Sequence, residues 1–183
     1  QGKTALSLNL AYNVLKQGKN VLFVSLEMGK EQLTQRLISI ASGIDFSCIR
    51  NGRLNNYDYE LFSKTINDLS RYKLNIDDRG GLTIQDIFNK ARKLNRKDKI
   101  DFIIIDYLQL CYSKDRKNKN REQEIAEISR KCKEMAKELN VPVLALSQMS
   151  RSIEQSNRNP RLSDLRESGA IEQDADMVIF IHH

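Results

Sequence analysis

Two stretches of this chain carry residue types that bind phosphate and divalent cations. Gly2-Lys3-Thr4 stands directly before a segment with helical periodicity, and Gly-Lys-Thr at a helix start is the end of the phosphate-binding loop G-x-x-x-x-G-K-[ST]. There the lysine ammonium contacts the β- and γ-phosphates, the hydroxyl binds Mg²⁺, and backbone N–H groups favour anions. The tripeptide predicts a nucleoside-triphosphate site, although it would also serve as a solvated helix start.

Three more polar residues follow apolar segments. Asp106 comes after Phe102–Ile105 and has the form of a Walker B acid, a carboxylate at a strand end that orients the Mg²⁺ shell. Many P-loop ATPases have glutamate next, but Tyr107 stands there, so Glu27 becomes the candidate base for activating water. Gln148 is a candidate γ-phosphate sensor. Alternatively, Glu27 favours a helix N-terminus, Asp106 is a turn residue and Gln148 a loop amide.

The apolar pattern predicts helices alternating with strands, and therefore a mostly parallel sheet with helices on both faces. We expect helices over 4–16, 30–41, 56–69, 83–94 and 121–139, and strands over 20–25, 72–76, 102–105, 141–146 and 177–181. Ligands of such sheets bind at the carboxyl edge of the strands. The sequence therefore predicts that Lys3, Thr4, Glu27, Asp106 and Gln148 converge on one triphosphate pocket.

Composition excludes several classes of protein. The 183 residues, 40% of them hydrophobic and 30% charged, suit one folded α/β domain over 1–183 rather than a disordered chain. Three cysteines argue against a disulfide framework. No apolar run is long enough to cross a bilayer. The net charge of +6 and pI of about 9.2 permit an anionic partner.

Two basic segments follow predicted strands. The segment 113–121 has five cations and one acid, and the segment 150–166 has several arginines against two acids. The cations are Lys114, Arg116, Lys117, Lys119, Arg121, Arg151, Arg158, Arg161 and Arg166. Both segments leave the sheet on the expected nucleotide side. They predict sequence-independent contacts to a nucleic-acid backbone, with a solvated surface as the ordinary alternative.

Several segments of the sequence resemble the DnaB replicative helicases. They occur in the family's order and are spread over essentially the whole chain. They are Ser25–Met28, Arg50–Leu54, Ile76–Asp78, Ile104–Leu110, Ala145–Gln148 and Asp164–Asp176. The last contains Arg-Glu-Ser-Gly, which is highly specific. The resemblance implies a RecA-like P-loop ATPase fold. It implies a ring of six subunits around single-stranded DNA, with ATP and Mg²⁺ between neighbours, driving 5′-to-3′ translocation and unwinding.

The resemblance also implies residue roles and partners. Gly2, Lys3 and Thr4 match the phosphate- and Mg²⁺-binding residues, Glu27 the catalytic glutamate, Asp106 the Walker B acid and Gln148 the γ-phosphate sensor. Arg166, Glu167 and Gly169 match the DNA-contacting segment, and residues 112–120 and 149–163 match the pore loops. A primase and a helicase loader are the implied partners. The implied location is the bacterial cytoplasm, with the nucleoid, and a plastid is the alternative.

The chain departs from the family pattern at both ends. The glycine-rich first half of the P-loop, the strand before it, the amino-terminal domain and the arginine finger are expected outside 1–183. A chain without them should bind nucleotide poorly and leave DNA duplexes unseparated. Two alternatives stay open, a RadA- or RecA-type recombination ATPase and a non-catalytic DNA-binding or loader module.

Overall fold

The structure is a computed structural model that describes residues 2–113, 120–149, 159–164 and 169–181. The helices are α1 Lys3–Lys16, α2 Lys30–Ser42, α3 Phe46–Asn51, α4 Asn56–Leu69, α5 Ile84–Lys97, α6 Arg121–Leu139 and α7 Gly169–Asp174. The strands are β1 Val21–Ser25, β2 Leu74–Asp77, β3 Phe102–Asp106 and β4 Val143–Ala145. Short 3₁₀ turns span Leu108–Leu110 and Leu162–Asp164.

The described strands form one parallel sheet in the order β2-β1-β3-β4. β1 pairs with β3 from Val21↔Phe102 to Ser25↔Asp106. Because the strands run the same way, their last residues lie along one edge. That edge is where the sequence predicts the site, and the expected α/β class with helices around a parallel sheet is confirmed.

Alternate residues of the strands face two separate cores. Leu22, Val24, Ile103 and Ile105 pack with α5 and α6 in one buried cluster. Val21, Phe23 and Ile104 pack with α1 and α2 in the other. β1 is buried along its full length, as expected for a strand covered on both faces. Helices on both sides of the sheet therefore fix the strand ends rigidly.

Most predicted elements occur within a few residues of their expected bounds. The helices over 56–69 and 121–139 are confirmed, and the capping box of Thr83 and Asp86 forms. α5 runs three residues further than predicted, to Lys97. The short helices α3 and α7 were not predicted. For α3 the signal was present, since the Asp45 carboxylate accepts a hydrogen bond of 2.7 Å from the Ser47 backbone and so caps the helix.

Two strand predictions need correction. β4 covers only Val143–Ala145, and it starts later than expected because Pro142 has no N–H for the ladder. The strand expected over 177–181 is wrong for the described residues, where this segment makes no ladder with β1–β4. Val178 and Phe180 still pack on the core while Met177 and Ile179 are exposed. The side chains alternate as in a strand, but none of the described strands pairs with them.

The cysteines form no disulfide, since all three are unpaired thiols at described positions. Burial raises the pKa of Cys111 to about 12 and also raises that of Cys132. Among described residues, no helix has both the length and the apolar character that a membrane crossing requires.

Candidate nucleotide site

The carboxyl ends of β1 and β3 meet the start of α1. Ser25 pairs with Asp106 in register, and the Leu26 N–H donates to the Asp106 carbonyl at 2.7 Å. Lys3 is the first residue of α1, which packs on β3 and β1. The sequence-predicted residues of this edge are therefore held by three neighbouring elements.

Thr4 and Asp106 contact each other directly. The Thr4 Oγ1 donates a hydrogen bond of 2.7 Å to the Asp106 Oδ2. Asp106 is 1% exposed, and burial raises its pKa. The Glu27 charge acts in the same direction, whereas the Thr4 hydrogen bond and the Lys3 charge oppose it. The other carboxylate oxygen, Oδ1, is buried and has no hydrogen-bond partner among the described residues.

Lys3 lies above this pair at the start of α1. Burial lowers its pKa, and the charges of Asp106 and Glu27 act in the opposite direction. Its Nζ lies 5.5 Å from the centroid of the Tyr107 ring. Gly2 precedes it with φ of 89°, a left-handed conformation that glycine adopts without strain. No side chain of the described residues caps α1, so within this part of the chain the N–H groups of its first turn remain open to an anion.

Glu27 lies at the same edge, in the bend that follows β1. The Ser25 Oγ donates to the Met28 carbonyl at 2.7 Å and accepts from the Met28 N–H at 3.3 Å, which closes the bend around Glu27. The Glu27 side chain is exposed. Its charge acts on the pKa values of Lys3 and Asp106. The charge of Glu27 therefore lies close enough to Lys3 and Asp106 to act on both, at the same edge of the sheet.

Gln148 lies three residues beyond β4 and is exposed. Its backbone N–H donates to the Gln109 Oε1 at 3.2 Å. No described hydrogen bond joins its side chain to Lys3, Thr4 or Asp106. The structure thus brings four predicted residues together and leaves Gln148 in the segment that follows β4, the strand next to β3.

Sequence reasoning missed residues that hold this edge in place. Ser25, 1% exposed, shapes the bend that carries Glu27. Gln109 fixes the backbone of Gln148. Ser25 could have been found as a hydroxyl at the end of an apolar strand, but nothing local in the sequence points from Gln109 to a residue 39 positions away.

The expected DNA-binding residues are only partly described. Arg166 and Glu167 lie outside the described residues, as do 114–119 and 150–158 of the basic segments. Gly169 is exposed and begins α7. Ile171 of this helix is buried in the same core as α6, so α7 has a fixed position.

Comparisons with known proteins identify the class of this fold and site. The family model of the DnaB-like helicase C-terminal domain matches residues 1–183. The chain belongs to this family. A solved DnaB-like replicative helicase, described with its interactions with primase, superposes with a TM-score of 0.90 at 42% identity, over 96% of this chain and 43% of that chain. A second solved structure, described as an ATPase domain, gives the same TM-score and identity over 96% of this chain and 63% of that one.

Sequence relatives agree with this assignment. The replicative DNA helicase DnaB of Geobacillus stearothermophilus is 44% identical over 183 residues, 99% of this chain and 40% of that protein. The probable replicative DNA helicase of Trieres chinensis is 48% identical over 184 residues, with the same two shares. The chain thus spans about 40% of the length of the relatives it matches.

Proposed function

We propose that residues 1–183 are a single, partial RecA-like domain that binds and hydrolyses ATP in a replicative DNA helicase. ATP hydrolysis there drives 5′-to-3′ movement along single-stranded DNA and separation of the duplex at the replication fork. The family match and the names of the relatives support this function. They favour it over the recombination ATPase and the non-catalytic module.

The observation that carries the proposal is the orphaned oxygen of Asp106. A buried carboxylate with a raised pKa and an unpartnered Oδ1 is costly unless a cation or donor satisfies it. Mg²⁺ prefers oxygen ligands, and the Thr4 hydroxyl lies beside this carboxylate. Thr4 and Asp106 therefore fit a Mg²⁺ ion, which in phosphoryl transfer neutralises charge on the phosphates.

The other site residues suit ATP hydrolysis. Lys3 would contact the β- and γ-phosphates, and the backbone of Gly2 would follow the phosphate chain. Glu27 would accept a proton from the attacking water. The water oxygen would bond to the γ-phosphorus while the bond between the γ-phosphorus and the leaving ADP oxygen breaks. Its exposed position leaves room for that water. Gln148 would hydrogen-bond the γ-phosphate and change position when the phosphate leaves.

The DNA contacts are assigned to the basic segments and to Arg166, Glu167 and the backbone N–H of Gly169. We propose single-stranded DNA as the substrate, bound through its phosphates, in the channel of a homo-hexamer. A primase is the expected partner, in line with the description of one structural neighbour, together with a helicase loader. The bacterial cytoplasm, with the nucleoid, is the proposed location, and a plastid is the alternative.

A strand-displacement assay tests this function. The intact protein with ATP and Mg²⁺ is expected to separate a forked duplex with a 5′ single-stranded tail, and to leave a fork with only a 3′ tail paired. Exchange of strands between homologous duplexes without displacement would instead support the recombination ATPase. DNA binding without ATP turnover would support the non-catalytic module.

A further inference from the structure

The side-chain amide of Gln109 contacts the segment that follows β4 with both of its polar atoms. The Gln148 N–H donates to the Gln109 Oε1 at 3.2 Å. The Gln109 Nε2 donates to the Ser147 Oγ at 2.8 Å and lies 3.5 Å from the Gln148 carbonyl oxygen. A side-chain amide that accepts from the backbone N–H of one residue and donates to the preceding side chain holds this short segment in position.

This contact continues the pairing of β3 and β4 beyond the strands. The Leu146 N–H donates to the Ile105 carbonyl at 2.9 Å, and the Leu108 N–H donates to the Leu146 carbonyl at 2.9 Å. Past this point the backbone after β3 turns into 3₁₀ geometry, and the Gln109 side chain takes over the hydrogen bonds. Among the described residues, the Gln109 side chain supplies the hydrogen bonds to the Gln148 backbone.

The backbone of Gln109 is tied to the start of α6. The Arg121 Nη2 donates to the Gln109 carbonyl at 2.5 Å, and its Nη1 pairs with the Glu124 carboxylate. Glu124 is 3% exposed and accepts a second hydrogen bond of 3.0 Å from the Ser113 N–H. Ser113 and Arg121 flank basic residues 114–119, so both ends of that segment are linked to Gln109 through Glu124 and Arg121.

We infer that Gln109 is a positioning residue that couples the nucleotide site to both basic segments. The Gln109 side chain contacts Gln148, two residues before the second segment. The Gln109 carbonyl accepts from Arg121, at the end of the first segment. A shift of Gln148 towards the γ-phosphate would strain or break its hydrogen bonds to the Gln109 amide. Bound nucleotide and bound DNA would therefore both act on the same arrangement of Gln109 and Gln148. This inference rests on the proposed ATP-driven function.

The variant Gln109→Leu in the intact protein tests the coupling, because leucine has similar volume and forms no hydrogen bonds. The matched control is Gln85→Leu, whose amide bonds to Asn89 within α5. We expect ATP turnover without DNA to fall less than its stimulation by single-stranded DNA, because Gln109 contacts Gln148 rather than the phosphates. Stimulation of turnover by single-stranded DNA should fall about tenfold, within the usual range of allosteric coupling. The control should keep full stimulation.

The reciprocal measurement is the affinity for single-stranded DNA with and without a non-hydrolysable ATP analogue. Linkage requires the ratio of these affinities to approach one in Gln109→Leu if coupling is lost. Gln109→Glu keeps the acceptor for the Gln148 N–H but places a carboxylate beside the Gln148 carbonyl, so we expect a partial loss. If Gln109→Leu does not fold, Gln109→Glu still tests the coupling.

The outcomes separate the inference from the function it rests on. A wild type whose turnover does not respond to DNA would overturn the proposed function, and the inference with it. A responsive wild type with equally responsive Gln109 variants would overturn the inference alone. Equal losses of basal and DNA-stimulated turnover in Gln109→Leu and Gln109→Glu would also overturn it, because the residue would then serve the fold.

Discussion

The Thr4 hydroxyl donates a hydrogen bond to the Asp106 carboxylate, although 102 positions separate the two residues in sequence. The contact joins the start of α1 to the end of β3 at the carboxyl edge of the sheet. It leaves the second oxygen of Asp106 buried without a described partner. A hydroxyl and a carboxylate in this arrangement supply oxygen ligands of the kind that Mg²⁺ binds.

Replacing Asp106 by Asn tests this interpretation. The amide keeps an acceptor for Thr4 but removes the charge, so we expect Mg²⁺-dependent ATP turnover in the intact protein to fall about 10²-fold or more. Because burial raises the pKa of Asp106, the charged form is disfavoured in the fold at neutral pH. The unfolding temperature of Asp106→Asn without nucleotide should therefore be no lower than that of the wild type. Unchanged turnover would contradict the Mg²⁺ assignment.

The pH dependence of ATP binding tests the role of Lys3. Burial holds the pKa of Lys3 below its usual 10.5, and bound phosphates should raise it again, so binding takes up a proton at high pH. ATP affinity, measured by titration calorimetry, should therefore weaken as pH rises through the lowered pKa of free Lys3, below 10.5. Lys3→Arg keeps its charge in that range and should lose this dependence. Identical pH profiles for both proteins would contradict the assignment.

Asp77, at the end of β2, should contribute to the free energy of unfolding rather than to ATP turnover. Its side chain is 2% exposed and pairs with Arg79 at 2.8 Å and with Lys90 at 2.9 Å. The hydrogen bonds from Arg79, with those from Lys90, hold the pKa of Asp77 far below its ordinary value. Asp77→Asn should lower the free energy of unfolding by about 1–3 kcal/mol at pH 7.

Urea unfolding at several pH values measures this effect. Because the folded-state pKa is depressed, the contribution of Asp77 is complete above the unfolded-state value near 3.8 and is lost as pH falls further. The difference between wild type and Asp77→Asn should shrink below about pH 4. The control Asp98→Asn removes an exposed pair with Lys73 and should leave the unfolding midpoint unchanged. A destabilisation that does not vary with pH would argue against ion pairing.

Arg166 is expected to contact DNA phosphates. Arg166→Ala should weaken binding of the intact protein to single strands of any sequence and reduce the dependence of log affinity on log salt by roughly one phosphate contact. Arg71 is exposed and precedes β2, at the opposite edge of the sheet, so Arg71→Ala is the control. Fluorescence anisotropy at several salt concentrations measures both. An unchanged salt slope in Arg166→Ala would remove this residue from the interface.

Periodicity predicted the fold well wherever an element buries a regular face. The apolar run of β1 and the buried face of α5, formed by Ile84, Ile87, Phe88 and Ala91, specify their elements locally. The predicted face of α4 is less regular, since Tyr59 and Ile66 are exposed. α3 was missed because six residues are too few for a helical period. The segment 177–181 has the alternation of a strand, but a strand also requires a paired neighbour, which no local pattern specifies.

The candidate site was partly visible in the sequence for a related reason. Residues that end parallel strands must lie at one edge, so Glu27 and Asp106 could be placed near Lys3 without coordinates. The burial of Asp106, its orphaned oxygen and the bridge from Gln109 to Gln148 depend on register and packing between distant segments. These features emerge only from the three-dimensional structure.

ATP turnover by Glu27→Gln in the intact protein tests the central claim most directly, with Glu31→Gln in the exposed first turn of α2 as the control. Glutamine keeps the size of Glu27 but cannot accept the proton of water. We expect turnover to fall about 10²- to 10³-fold, with the affinity for ATP largely retained and the control unaffected. ATP turnover by Glu27→Gln at the wild-type rate would contradict the assignment of this pocket as the site of ATP hydrolysis.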